Sequence, residues 1–383
     1  MTIYLDHAAS TPLLPEVHSL LIKSLQAETA NAEAKHLLGR NDAKRIESAR
    51  KCFIDLLQGG AGDKFIFTSS ATESNNTIIS SLLKRSNSKV ILSLADHASV
   101  TVPVKHYCIS GARMFELPLM ANLDVDLTNL EKLLNNNKPD LLILTHVNSV
   151  SGHILDVAAI AYLAKKAHPN VHVHVDAAQG FTKIPLDLSG GYIDSVSISA
   201  HKIGGPKGIS GLYIKAGVNV DPLLLGGGHE CGMRSSTPAT ALIEAFALAA
   251  RLMCASQQEH LSHTASLVDL LKAKLIGLGC DVKMPFVNLS NQSPYIVSLF
   301  VPPLAGDVLM RNLEQEDVMI STRSACSSKN NNTPEFKALN INPEWMSASL
   351  RVSFSARTTA GDVVRFCEIF ADVLSMLVQL QDR

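Results

Sequence analysis

Residues 197–215 read "SISAHKIGGPKGISGLYIK": a β-like run, a lysine lodged between a histidine and a Gly-Gly-Pro turn, then a second β-like run. Lysine suits a buried strand end poorly, because its ammonium must be solvated or paired. Lys202 therefore needs either a partner or a chemical task.

The flanking sequence supplies candidates. Upstream, "VHVHVDAAQG" (171–180) places Asp176 at the end of an apolar strand, with Gln179 three residues on. A carboxylate there needs a cation or several donors. Earlier still, "KFIFTSS" runs into the helix-like "ATESNNTIISSLLKRS", and "KVILSL" runs into "ADHASV". "PDLLILTHVN" is followed by "DVAAIAYLAKKAH". The β runs carry apolar residues on both parities, as expected of strands covered on both faces. Strands alternating with helices predict an α/β fold with a mostly parallel sheet. Ligands in such sheets bind at the C-terminal ends of the strands.

Beyond "GGGHECGMRSSTPAT" the pattern changes. Two long helices are expected over 238–279, and the strands "PYIVSLFV", "VMIST" and "SLRVSFSA" mix with helices near 306–316 and 359–380. The reading is a large domain over 16–255 and a smaller α+β domain from 1–15 and 256–383. A chain of 383 residues suits that division, since single cores stop growing near roughly 250–300 residues.

Bulk properties exclude several classes. Hydrophobic residues make up 46% of the chain and the formal net charge is -1, so a nucleic-acid footprint is not expected. No stretch reaches the roughly 18 apolar residues of a membrane span. "MTIYLDHAASTP" lacks the basic and apolar regions of a signal peptide, which predicts a cytoplasmic protein. The seven cysteines are odd in number, widely spaced and free of CxxC, so neither a disulfide framework nor a zinc knuckle is expected.

The strand-end residues suggest one chemistry. Free N–H groups at the Ala71–Thr72 helix start can bind phosphate, and Ser199 and His201 flank the lysine as further donors. His97 stands at another strand end, where it could stack on a ring and move protons. A lysine able to form a Schiff base, with an acid for a pyridinium nitrogen, is the physical signature of pyridoxal 5'-phosphate. His172 and His174 share a strand parity but lack a third metal ligand, and are read as structural.

These segments together resemble the cysteine desulfurases of the class V, fold type I aminotransferase family. The resemblance is carried by "YLDHAASTP", "FTSSATESNN", "DHASV", "HVDAAQ", "SAHKIGGPKGISGLY", "GGGHECGMRSST" and "STRSACSS". It implies that Lys202 is the Schiff-base lysine, that Thr237 reaches the phosphate of a neighbouring subunit in a homodimer, and that Cys326 is the catalytic thiol. Cys326 lies in a polar, Asn-rich stretch, the wrong context for a core cysteine and a suitable one for a nucleophilic thiolate. Arg351 matches the arginine that binds the substrate carboxylate, a role suited to its fork. The implied activity is removal of sulfur from L-cysteine to give L-alanine and an enzyme-bound persulfide for a sulfur-acceptor protein. One motif departs: the family reads H-V-N-N-E-x-G where this chain has "HVNSVSG" (146–152). Either Ser149 substitutes for the second Asn, which normally bonds the cofactor's ring hydroxyl, or Asn148 reaches in. Alternative readings are another class V reaction (transamination, selenocysteine or cysteine sulfinate cleavage) or a catalytically weak binding protein.

Overall fold

A computed structural model describes residues 2–27, 30–322, 336–337 and 341–381. Its strands are β1 (Ile3–Tyr4), β2 (Lys64–Thr68), β3 (Lys89–Leu92), β4 (Arg113–Glu116), β5 (Leu141–Thr145), β6 (His172–Asp176), β7 (Ser195–Ser199), β8 (Ser210–Ile214), β9 (Ile296–Phe300), β10 (Val318–Met319) and β11 (Ser349–Ser353). Its helices are α1 (Pro15–Gln26), α2 (Leu37–Leu56), α3 (Ala71–Leu83), α4 (Ala98–Ile109), α5 (Leu127–Asn137), α6 (Val157–Ala167), α7 (Thr240–Ala255), α8 (Gln257–Gly277), α9 (Gly306–Gln315), α10 (Pro343–Met346) and α11 (Ala360–Gln381).

Seven strands form one sheet in the order β2-β8-β7-β6-β5-β3-β4. All run parallel except β8, which is antiparallel to both β2 and β7. Residues 71–167 supply the expected alternation of helix and strand, and their helices begin on local chemistry. Ser70 caps α3 by accepting from the Glu73 amide at 3.1 Å. Asp126 and Asp156 cap α5 and α6 in the same way, each satisfying one orphan donor of the first turn.

Two sequence expectations need amendment. First, β4 joins the sheet although "RMFE" is no apolar run. It is an edge strand with exposed ends, so it needs only two half-buried residues. Second, β6 and β7 are not apolar on both parities. "HVHVD" and "SVSIS" alternate, yet every residue of both strands is buried. Val173, Val175, Val196 and Ile198 join the core beneath α2, α6 and α7. The opposite parity, His172, His174, Ser195 and Ser197, is a buried polar face.

A second core gathers around the antiparallel pair β9–β11, with residues of α8, α9 and α11. It is tied to the N-terminus through the parallel pair β1–β10. The segment after β1 crosses back over the large sheet: the Thr11 amide donates to the His201 carbonyl at 2.8 Å and the Leu14 amide to Gly204 at 3.0 Å.

Candidate active site

The C-terminal ends of the parallel strands surround a cavity of about 260 Å³, just below the range of about 300–1,000 Å³ for ligand pockets. Strand register explains the convergence. Thr145 ends β5 opposite Asp176, which ends β6 opposite Ser197 of β7, and Lys202 follows β7 in a single turn of 3₁₀ helix. Ten of the expected residues line this one cavity: Ala71, Thr72, His97, Asn148, Ser149, Asp176, Gln179, Ser199, His201 and Lys202.

Lys202 Nζ donates to the Ala9 carbonyl at 2.9 Å and also to the Ala8 carbonyl. Two backbone acceptors from the N-terminal segment thus hold the ammonium. Gln179 Nε2 donates to the same Ala8 carbonyl at 2.8 Å, while its Oε1 is buried with no partner among the described residues. Asp176 accepts from Asn75 Nδ2 at 2.8 Å and from the Ala178 amide at 3.0 Å. His97 caps α4, its Nδ1 accepting from the Ser99 amide at 3.1 Å. Burial lowers the pKa of His97, and Lys202 adds to the effect against the opposing pull of Asp176. His201 is pushed down to about 4 by burial and by Lys202, Lys207 and Lys183. Both rings are therefore neutral near pH 7.

At the start of α3, the Ala71 and Thr72 amides belong to the first turn, which has no intrahelical acceptors. The only acid there, Glu73, is engaged by Arg234 at 2.9 Å and by Ser69 at 2.5 Å. Burial alone would raise its pKa, but these hydrogen bonds hold it below the usual value. The helix end is thus left open to an anion.

The "HVNSVSG" question also has a local answer. Asn148 spends its amide on structure: Nδ2 donates to the Ala95 carbonyl at 3.1 Å, and Oδ1 accepts from the Val150 and Ser151 amides at 2.8 and 2.9 Å. Ser149 lines the cavity, and its hydroxyl makes no hydrogen bond among the described residues. Val150 instead packs with Phe286, Phe300 and Phe336.

Three expected residues stand apart. Arg351 is buried outside the cavity wall; its fork reaches Asp6 and the Ser149 carbonyl, both at 3.0 Å. Its Nε is buried without a partner among the described residues. Thr237 is exposed and outside the wall. Cys326 lies outside the described residues.

Comparisons with known proteins fit this geometry. The model of the aminotransferase class-V family matches residues 3–366. The chain belongs to the aminotransferase class-V family. Within it, the chain is 32% identical to the cysteine desulfurase IscS of Buchnera aphidicola, covering 99% of this chain and 94% of that one. It is 31% identical to a NifS/IcsS protein homolog of Lactobacillus delbrueckii, with 97% of each covered. A solved NifS-like protein superposes with a TM-score of 0.90 at 27% identity, covering 98% of this chain and 100% of that one. SspA in complex with cysteine superposes with a TM-score of 0.80 at 25% identity, covering 94% and 100%.

Several residues of this class-V site escaped the reading of the sequence. The carbonyls of Ala8 and Ala9 carry no side-chain signal. Asn75 lies one helical turn beyond Ala71 on α3, a spacing that puts it on the same helix face. That was the available clue. Lys183, four residues after Gln179, is buried with its ammonium 5.6 Å from the Tyr295 ring centroid. Burial, then Lys202 and Arg351, push its pKa down to about 7.

Proposed function

We propose that this class-V enzyme is a cysteine desulfurase that transfers the sulfur of L-cysteine to Cys326 and releases L-alanine. The observation that carries the reading is the convergence of Lys202, Asp176, His97 and the α3 N-terminus on one cavity. These residues fit pyridoxal phosphate. An acidic partner suits its ring nitrogen, helix amides with Ser199 and His201 suit its phosphate, and His97 suits its ring face. Gln179 Oε1, which has no partner among the described residues, and the Ser149 hydroxyl are further polar groups of the cavity. When bound, the cofactor supplies an electron sink that stabilises a carbanion at the substrate α-carbon.

The chain's own residues do the rest. Lys202 would hold the cofactor covalently, and its free amine would carry the α-proton. The Ala8 and Ala9 carbonyls keep that amine in place. Asp176 would stabilise positive charge at the ring nitrogen. Arg351 offers its fork to the substrate carboxylate once Asp6 shares or yields it. The Cys326 thiolate takes the substrate sulfur, so that one thiol and cysteine become one persulfide and alanine, with no external oxidant. The persulfide then serves a sulfur-acceptor protein.

The assay is sulfide and alanine release from L-cysteine with a thiol reductant. Wild type is expected to give the two products in equal amounts, and Cys326→Ala and Lys202→Ala to give neither. Formation of pyruvate from alanine and a 2-oxo acid would instead identify a transaminase. The exposed Thr237 supports a homodimer in which it completes the partner subunit's phosphate site; a monomeric mass by light scattering, with cofactor bound, would rule that out.

A further inference from the structure

Behind the cavity wall, a continuous set of hydrogen bonds runs through the buried polar face of the sheet. Asn75 Nδ2 lies 2.8 Å from Asp176 Oδ2 and 2.9 Å from Ser99 Oγ. Asn75 Oδ1 lies 3.0 Å from His174 Nε2. His174 Nδ1 is 2.8 Å from Ser195 Oγ, which is 2.7 Å from His172 Nε2. On the other branch, Ser99 Oγ is 2.8 Å from His97 Nδ1. Asn75, His174 and Ser195 are fully buried.

Donor and acceptor inventory gives this chain a single direction. An ionised carboxylate only accepts, so Asn75 must turn its nitrogen toward Asp176. That nitrogen then donates one hydrogen to Asp176 and the other to Ser99. Asn75 Oδ1 is left as an acceptor, so His174 must carry its proton on Nε2, with Ser197 Oγ a longer second acceptor at 3.3 Å. A neutral His174 then accepts at Nδ1 from the Ser195 hydroxyl. With its hydrogen spent, Ser195 accepts from His172 Nε2–H. On the other branch, Ser99 has accepted from Asn75, so its hydroxyl donates to His97 Nδ1. The Ser99 backbone amide donates to the same nitrogen, an independent reason for Nδ1 to be unprotonated.

We propose that Asn75, His174, Ser195 and Ser99 are positioning residues. Together they hold Asp176 as an acceptor-only carboxylate and fix the His97 proton on Nε2. His97 then meets the substrate as a hydrogen-bond and proton donor, which leaves Lys202 as the base. This rests on the reading of the cavity as a pyridoxal phosphate site.

The primary test is a long-range ¹H–¹⁵N correlation spectrum of histidine-labelled protein, recorded with and without pyridoxal phosphate. His97, His172 and His174 should all be neutral with the proton on Nε2; a proton on Nδ1 of His97 or His174 overturns the relay. Ser195→Ala should leave the His174 proton on Nε2, where Asn75 Oδ1 requires it, but put His172 into mixed tautomers, and Ser195→Thr should restore a single His172 form. Asn75→Leu removes a hydrogen bond to a charged acceptor. It should raise the pyridoxal phosphate dissociation constant about tenfold or more and release His174 into mixed tautomers, while the Ser99 amide keeps the His97 proton on Nε2. An unchanged dissociation constant with an unchanged His174 spectrum would refute the assignment. If the protein takes up no pyridoxal phosphate, the proposed function fails, while the tautomers of the cofactor-free protein still decide the relay.

Discussion

One face of the central sheet is filled by Phe53, Phe65, Phe67, Phe181 and Phe246, with Phe53 stacked on Phe65 at 4.3 Å and 4.4 Å from Phe246. The other face, under α3 and α4, sets His172, His174, Ser195 and Ser197 among Ile66, Ile78, Ile143 and Leu212. Both faces are buried, but they answer different demands. The aromatic face gains from area and close fit, and each removed ring leaves a hole. The polar face gains little net stability from its hydrogen bonds. It is expensive to leave half-made, because each orphaned group keeps its full desolvation cost. The difference teaches that stability is concentrated on one side of the strands and orientation on the other.

The largest expected effect is therefore on the aromatic side. Phe53→Ala should lower stability by about 3–5 kcal/mol, read by urea unfolding, while kcat/KM of the folded fraction stays within about twofold. His174→Leu should cost less, about 2 kcal/mol, by stranding Asn75 Oδ1 and the Ser195 hydroxyl. It should lower kcat/KM by more than Phe53→Ala does. If Phe53→Ala were the more damaging of the two to kcat/KM, the division between the faces would be wrong.

Acid sharpens the same contrast. Burial and Lys165 push the His172 pKa down to about 3, and burial with His172 lowers that of His174. In the unfolded chain these rings titrate near 6.5. Below that value the unfolded state binds protons that the folded state refuses, so stability falls as pH falls toward the folded pKa. His172→Gln should remove about 2 kcal/mol of the stability lost between pH 7 and pH 5, measured by urea unfolding at both values. Phe53→Ala should leave that loss unchanged. An acid limb identical to wild type in His172→Gln would mean that the ring is solvated in the folded protein.

Much of this was legible in the sequence, and the limits were physical. β3, β5 and β8 announce themselves because central strands need apolar runs; of the two edge strands, β2 is buried over four of its five residues and reads as apolar, whereas β4 needs only Met114 and Phe115. The cavity residues were legible because polar side chains at strand ends need a reason to be there. Asn148 looked the same as the rest of that set, yet its side chain closes a turn, which only the fold reveals. The Lys202 acceptors are backbone carbonyls, invisible as residue types. The Asp6–Arg351 pair joins positions 345 residues apart, which no local pattern encodes. The alternation in "HVHVD" and "SVSIS" runs against the expectation of apolar residues on both parities, and alternation ordinarily marks a wet face. Here α3 covers it with Asn75, one residue whose partners make burial tolerable.

The two faces meet in the turn after β6, and the smallest predicted effect lies there. Within six residues the chain sends Gln179 to the cavity, Phe181 to the aromatic core at 6.3 Å from Phe53, and Lys183 toward Tyr295. To do so it places Thr182 at φ 64, a conformation that a β-branched residue adopts at a cost. The Thr182 hydroxyl is also buried without a partner among the described residues. Glycine would remove both penalties, against some loss of unfolded-state restriction. Thr182→Gly should therefore raise stability by about 1 kcal/mol, seen as a small rise in Tm. If the strain serves to aim Gln179 and Lys183, the same variant should lose affinity for pyridoxal phosphate as it gains stability. A gain in both would show that the turn is merely tolerated, and that the positions of Gln179 and Lys183 are fixed by the faces on either side.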